Sequence, residues 1–367
     1  MPVPQPEVVH VVAADVTPAK LDILATLITQ RPATATPLVL HVGPGPLQSP
    51  ASVRPHRVHA PIPCPSLGSR ALRRVLTRPE CSRSAGRAIL HAWSPKAAAW
   101  CAPLTTAGWA LLIELEEQPA NAIRIHWPTT GRLADTPWYI CPSECVRDDL
   151  RRHGVPDTHR LLIRPGIAAA TPSTSGRSNL RARLGFDDQN LVIALLPPIT
   201  RQSGAFTAAW AALLVERLRS DVSLVMPGSS AEAARVQRLI TACSPDCAVR
   251  VTDANVSTAS LVACADVAAF VPRGDAPIAG VATALVAGCP LVTTLTRAIK
   301  EILPASQCVQ FCRPGNPQDV AGQMLSVIEN LPDARKKAAQ AQPHASELFS
   351  VRQMLDRYSR AYRLITI

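Results

Sequence analysis

Ala265-Asp-Val-Ala-Ala-Phe-Val-Pro-Arg-Gly-Asp-Ala-Pro-Ile278, continued through Ala279–Val286 to Ala287-Gly-Cys-Pro-Leu-Val292, reads as a strand, a loop, a helix and a second strand. Val267–Val271 is a short apolar run stopped by Pro272, the pattern of a strand buried on both faces. Leu291–Thr293 resumes as a strand after Gly288 and Pro290 break the helix. The uncharged run Ala276–Thr296 is long enough for a membrane span, yet Pro277, Gly280, Gly288, Pro290 and several threonines mark a soluble helix, turn and strand. Two strands joined through a helix belong to one parallel sheet.

The same alternation extends outward from this stretch. Upstream, strands are predicted at Leu191–Leu195, Val222–Met226 and Val249–Val251, with helices at Ala205–Arg219, Ser229–Ala242 and Ser257–Cys264. Ser229 and Glu232 fit a capping box. Downstream come a strand at Val309–Cys312, a helix at Pro317–Asn330, and an amphipathic helix at Ser350–Arg363 with Met354, Leu355, Tyr358 and Tyr362 near one face. Ile167–Ser178 is small, polar and broken by Pro and Gly, so the domain boundary falls there. Before it, strands at Val8–Ala13, Pro37–Val42, Ala88–His91, Ala110–Leu115 and Trp138–Cys141 alternate with helices at Pro18–Gln30, Ser94–Ala107 and Ser143–His153. The expectation is an α/β protein of two doubly wound domains, 1–168 and 179–348, with a linker at 169–178 and a terminal helical segment at 349–367. A length of 367 residues agrees with two domains.

Apolar residues make up 47% of the chain and aromatics 4%, so the core is built from Ala, Val, Leu and Ile. Lys plus Arg is 38 against 27 Asp plus Glu, a net charge of +11 that points to anionic partners. It concentrates in Arg54–Lys96, where nine basic residues meet the single acid Glu80. Met1–Glu7 holds three prolines and no export signal, which implies a cytoplasmic protein with reduced thiols. The pairs Cys141 with Cys145, Cys243 with Cys247 and Cys308 with Cys312 therefore read as buried thiols rather than zinc ligands, and no metal site is expected.

Two such domains resemble the GT-B architecture of nucleotide-sugar-dependent glycosyltransferases, and four stretches resemble the retaining type of glycosyltransferase family 4, or group 1. They are Cys141–Pro156 with its exit Leu162-Ile-Arg-Pro-Gly-Ile167; Leu180–Phe186 with Leu191–Leu195 and the strand-end Gly228; Ala265–Val292; and Phe349–Tyr362. The resemblance implies two Rossmann-like domains facing a central cleft, the C-terminal helix crossing back to the first. It implies transfer of a hexosyl unit from a nucleotide diphosphate donor to an acceptor hydroxyl with retention, needing no metal and no cofactor beyond the nucleotide-sugar co-substrate.

A sugar nucleotide needs cations or helix N-terminal amides for its diphosphate and a carboxylate for its hydroxyls. By resemblance the donor is held by Arg201, Gly204, Gly228, Asp275, Ala276, Pro277, Ile278 and Thr283, with Asp275 as the catalytic carboxylate. The chain departs from the family in two places. The family's E-x7-E becomes D-x7-T at Asp275 and Thr283, and Pro198 and Ser203 fall where an Arg and a Lys would bind the phosphates, leaving Arg201 as the substitute. The first loop, Ala13–Pro18, has no glycine, and Glu114, Glu116 and Glu117 stand where an acceptor-side His is expected. His91 at a strand end reads as structural. No G-x-G-x-x-G, Walker, H-E-x-x-H or G-x-S-x-G motif occurs. The alternative is a non-catalytic relative that acts as a scaffold or sensor. Arg54–Lys96 is expected to meet an anionic acceptor or an anionic membrane at its inner face, and nucleic acid is not expected.

Overall fold

The computed structural model describes residues 8–13, 16–30, 38–42, 56–58, 65–76, 88–116, 136–168, 174–187, 189–228, 230–243, 249–252, 256–303 and 308–366. They form two compact units, Met1–Gly166 with Arg352–Ile367 and Ile167–Val351.

The first unit runs β1 (Val8–Val12), α1 (Pro18–Thr29), β2 (Leu38–Val42), β3 (His56–Val58), α2 (Pro65–Leu76), β4 (Ile89–Ala92), α3 (Pro95–Cys101) with a 3-10 turn at Ala102–Ala107, β5 (Ala110–Glu114), β6 (Trp138–Cys141), α4 (Glu144–Arg152) and β7 (Arg160–Leu162). The strands pair in parallel in the order β3-β2-β1-β4-β5-β6-β7. The second runs α5 (Thr174–Arg183), β8 (Leu191–Leu195), α6 (Ala205–Leu218), β9 (Val222–Pro227), α7 (Ala231–Cys243), β10 (Val249–Thr252), α8 (Thr258–Cys264), β11 (Val267–Phe270), α9 (Ala279–Val286), β12 (Leu291–Thr294), α10 (Arg297–Ile302), β13 (Val309–Cys312), α11 (Pro317–Glu329) and α12 (Leu331–Leu348). Its parallel sheet has the order β10-β9-β8-β11-β12-β13. The last helix, α13 (Val351–Thr366), packs in the first unit.

Both faces of each sheet are covered, which is why the central strands are apolar at every position rather than at alternate ones. In the first unit Val9, Val11, Leu90, Ala92, Leu111 and Ile113 meet Leu72 and Leu76 of α2, Trp100 of α3 and Leu150 of α4. Val8, Val12, Ile89 and Leu112 meet Leu21, Leu24 and Leu27 of α1 and Met354, Tyr358, Tyr362 and Ile365 of α13. In the second, Ile193, Leu195, Val267 and Ala269 pack under α6, α7 and α11.

Several elements lie beyond the sequence reading: β3, α2, β7, α10 and α12. Helix α5 begins at Thr174, inside the stretch read as linker, and residues 169–173 lie outside the described residues. Ser229 also lies outside them. The side chain that caps α7 is Ser230, whose Oγ accepts from Ala233 N at 3.0 Å and donates to Ile199 O at 2.6 Å. Among the described residues no helix is long and apolar enough to cross a membrane, and Ala276–Thr296 is divided between α9 and β12.

Asp266 binds the base of the second sheet to its helices. Its carboxylate is buried and accepts from Arg177 at 2.7 Å, Arg335 at 2.5 Å, Arg181 at 3.4 Å and the amide of Val192 at 2.9 Å. One acid thus fixes α5, α12 and β8 around the start of β11. Among the described residues, removing it leaves the buried Arg181 guanidinium without a carboxylate, held only through Nη2 to the Asn190 carbonyl, with Nε already unpartnered. Asp266→Ala is expected to lower stability by about 3–5 kcal/mol, read as a shift in the urea midpoint. A shift under ~1 kcal/mol would show the cluster to be ornamental.

Candidate functional site

The order of the second sheet places β8 beside β11, and the two strands send their chains to different helices, α6 and α9. This is the topological switch point of the sheet, where the exit loops diverge and leave a crevice beyond the carboxyl ends of the strands. Three loops meet there: 196–204, 271–278 and the turn 295–296 after β12.

The loops are pinned to one another by backbone contacts. Leu196 N donates to Ala269 O and Arg273 N to Gln202 O, both at 3.0 Å. Gly204, the residue before α6, sits at φ +71°, and a Cβ there would lie 1.9 Å from the carbonyl oxygen of Val271. Gly280 presses on the first loop, where a Cβ would come 2.8 Å from Pro197 O. Two buried β12 hydroxyls hold the exit of β11, Thr293 donating to Phe270 O at 2.5 Å and Thr294 to Pro272 O at 2.6 Å.

Six of the eight residues expected at the site lie on these loops. Arg201 is exposed on the first, and Gly204 closes it. Asp275 is half-buried on the second, with Pro277 likewise half-buried and Ala276 and Ile278 buried beneath it. Thr283 is one helical turn further on, buried in α9, and its hydroxyl donates to Ala279 O at 2.8 Å. Gly228 is at the end of β9, where its amide donates to Thr252 O at 3.0 Å and a Cβ would collide with Val251 Cγ1 at 2.3 Å, a packing reason for glycine. Ser203, at one of the two basic positions, is buried in a turn with Thr200: its Oγ accepts from Thr200 N at 3.0 Å and donates to Thr200 O at 2.9 Å.

The side chain that sequence reasoning missed is Arg297. It opens α10, and its Nε and Nη2 both donate to Asp275 Oδ2, at 2.8 and 2.5 Å. The signal was its placement: a cation in the first turn of a helix opposes the helix dipole and calls for a nearby anion.

The first unit holds a second polar cluster, on the face covered by α1 and α13. His10 of β1, His91 of β4 and Glu114 of β5 are all buried there. Tyr358 donates to both Glu114 oxygens at 3.1 and 3.0 Å, His91 Nε2 lies 3.2 Å from Glu114 Oε2, and His91 Nδ1 lies 3.0 Å from the Tyr362 hydroxyl. Trp93 Nε1 donates to His10 Nδ1 at 3.1 Å. Lys20 Nζ donates to the backbone oxygen of Glu114 at 3.0 Å and lies 3.6 Å from Glu116, which also accepts from Thr17 at 2.7 Å. Glu117 is outside the described residues. Burial pushes the Glu114 carboxyl up to about 8, against the pull of Lys20 and the Tyr358 hydroxyl. Burial likewise lifts the Tyr358 phenol well above its usual range. At neutral pH the network is consistent with a protonated Glu114 that donates to His91 Nε2, while His91 Nδ1–H donates to Tyr362. Among the described residues no group of three or more His, Cys, Asp or Glu side chains could hold a metal.

The two parallel sheets, together with the solved structures that match them, give the chain a GT-B fold. The sequence matches no protein-family model and no curated protein. Solved structures do match over nearly the whole chain. HepE of Anabaena, in complex with UDP and glucose, is 18% identical with a TM-score of 0.75, covering 97% of this chain and 98% of that one. A glycosyltransferase of Rickettsia africae is 14% identical with a TM-score of 0.74, covering 99% of both chains. Sucrose-phosphate synthase of Thermosynechococcus elongatus is 13% identical with a TM-score of 0.72, covering 97% and 98%.

Two outcomes follow from the geometry. Gly204→Ala has neither the backbone conformation nor the space for a methyl group and is expected to lower the melting midpoint by roughly 4 °C or more, whereas Gly274→Ala in the neighbouring loop, with nothing within 4 Å of its Cβ, is expected to leave it unchanged. Glu114 carries its raised value only when folded, so the folded chain binds more protons than the unfolded one between about 4.5 and about 8. The stability it contributes is present below about 4.5, is lost as pH rises to about 8, and then levels off. Comparing melts of wild type and Glu114→Gln across this window isolates the effect, expected to be on the order of 10 °C.

Proposed function

We propose that the protein is a glycosyltransferase that binds a nucleotide diphosphate sugar at the switch-point crevice of the second unit and transfers the sugar, with retention and without a metal, to an acceptor hydroxyl. The observation that carries this reading is the crevice itself: a switch point bounded by three pinned loops, with net charge +2 from Arg201, Arg273 and Arg297 against Asp275, in a chain similar over 97% of its length to HepE in complex with UDP and glucose. In this reading Asp275 stands on the side of the donor sugar and Thr283 on that of its ribose, and the diphosphate meets the arginines of the crevice. Departure of the nucleoside diphosphate then relies on fixed cations already in place.

The acceptor belongs to the first unit in this reading, and the basic segment Arg54–Lys96 docks an anionic acceptor or an anionic membrane surface at the cytoplasmic side. Its described part includes α2, which buries Leu72 and Leu76 and exposes Arg70, Arg73 and Arg74; Arg54, Arg78, Arg83 and Arg87 lie outside the described residues. Such a surface loses its hold as salt rises.

A second reading, a scaffold or sensor without turnover, is favoured by the Asp275–Arg297 ion pair and by the turn that occupies Ser203. Calorimetry with UDP, GDP and ADP, followed by assay of donor hydrolysis, separates the two. The transferase is expected to bind one nucleotide below millimolar concentration and to turn over its sugar conjugate at a rate that Asp275→Ala abolishes. Binding without turnover would favour the sensor, and no binding at millimolar nucleotide would end the transferase reading.

A further inference from the structure

We infer that Arg297, rather than a residue of the first loop, is the principal cation for the donor diphosphate, and that Asp275 acts on the phosphates through it as a positioning residue. This deepens the nucleotide-sugar reading and rests on it.

Three observations converge on Arg297. First, the two positions at which the resemblance places a basic pair are closed to a cation. One is Pro198, and the other is Ser203, 2% exposed and held by Thr200. Secondly, Arg201 is exposed on its turn, so ordering it on a ligand costs side-chain entropy. Arg297 is already ordered: two of its donors grip Asp275 Oδ2, while its side chain remains 50% exposed. Thirdly, the ion pair joins the β11 exit loop to the start of α10, so the guanidinium is delivered to the carboxyl-terminal edge of the sheet from the β12 side of the crevice.

The chemistry suits a diphosphate. A guanidinium stays charged, and its planar set of five donors can bind phosphate oxygens while keeping a carboxylate. Asp275 fixes its orientation in the way a carboxylate orients a metal-binding histidine, and an anion arriving at Arg297 meets a cation that has already lost its rotamer freedom. A lysine at this position would keep the charge and lose the fork.

The test compares Arg297→Ala, Arg297→Lys and Arg201→Ala with wild type. Binding of UDP, GDP and ADP is measured by calorimetry, and binding of the parent nucleosides by saturation-transfer NMR, so that the phosphate contribution is separated from the base and ribose. For the nucleotide that wild type prefers, Arg297→Ala is expected to weaken the diphosphate about 10- to 100-fold and leave the nucleoside unchanged, with Arg297→Lys intermediate and Arg201→Ala weakened less than Arg297→Ala. Arg297→Ala that binds the diphosphate as wild type does, or that loses less than Arg201→Ala, overturns the inference while the transferase reading stands. Equal losses for nucleoside and diphosphate also overturn it, because they report a disturbed fold rather than a lost phosphate contact. If wild type binds none of the three nucleotides, the transferase reading falls first and the inference with it.

Discussion

The amide of Leu196 donates to the carbonyl of Ala269 in the last rung between β8 and β11, and immediately beyond it the two chains part. One goes to α6 and the other to α9. That divergence is imposed by the parallel pairing of the first and fourth strands of the second unit, and the crevice follows from it without any special residue. What the side chains decide is how tightly the two exits are held. Gly204 lets α6 begin against the Val271 carbonyl, and Gly280 lets α9 begin against Pro197. Thr293 and Thr294 clamp the same exit from β12. The loops are consequently part of a rigid frame, so the few polar groups they carry are placed and not merely nearby.

The two units handle buried charge in different ways. At the base of the second sheet, Asp266 is ionically paired with three arginines whose own exposure ranges from buried to half-exposed. Such a cluster fixes geometry more than it adds stability, since each desolvated ion must be repaid by its partners. In the first unit, Glu114 faces Tyr358 and His91, and burial favours its neutral form. A neutral hydrogen-bonded network is the cheaper solution where α13 must lie on the sheet without leaving a charge unpaired. It also explains how a glutamate can be buried at the end of β5.

The positions of most candidate residues were legible in the chain order. Asp275 lies on the loop that leaves β11, as the strand and breaker pattern around Pro272 and Pro277 required, and Arg201 and Gly204 lie on the loop that leaves β8. Thr283 and Gly228 were legible as positions but not as chemistry. The Thr283 hydroxyl is engaged by its own helix, and Gly228 answers to Val251 on the next strand. Neither constraint has a local signature. Short elements such as β3 and β7 escaped because three residues carry no period, and α10 escaped because six residues hold barely more than one turn.

Hydrophobic periodicity alone determined two doubly wound α/β sheets and an amphipathic last helix, because burial on one or both faces writes itself into consecutive residues. Contacts between residues distant in sequence were decided only by the tertiary structure. Asp275 meets Arg297, Asp266 gathers Arg177, Arg181 and Arg335, and Glu114 meets Tyr358 across 244 positions. The reason is physical: a charged side chain is compatible with many local contexts, and which partner neutralises it depends on which strands become neighbours. That is fixed by the sheet order, and no short stretch of the chain contains it.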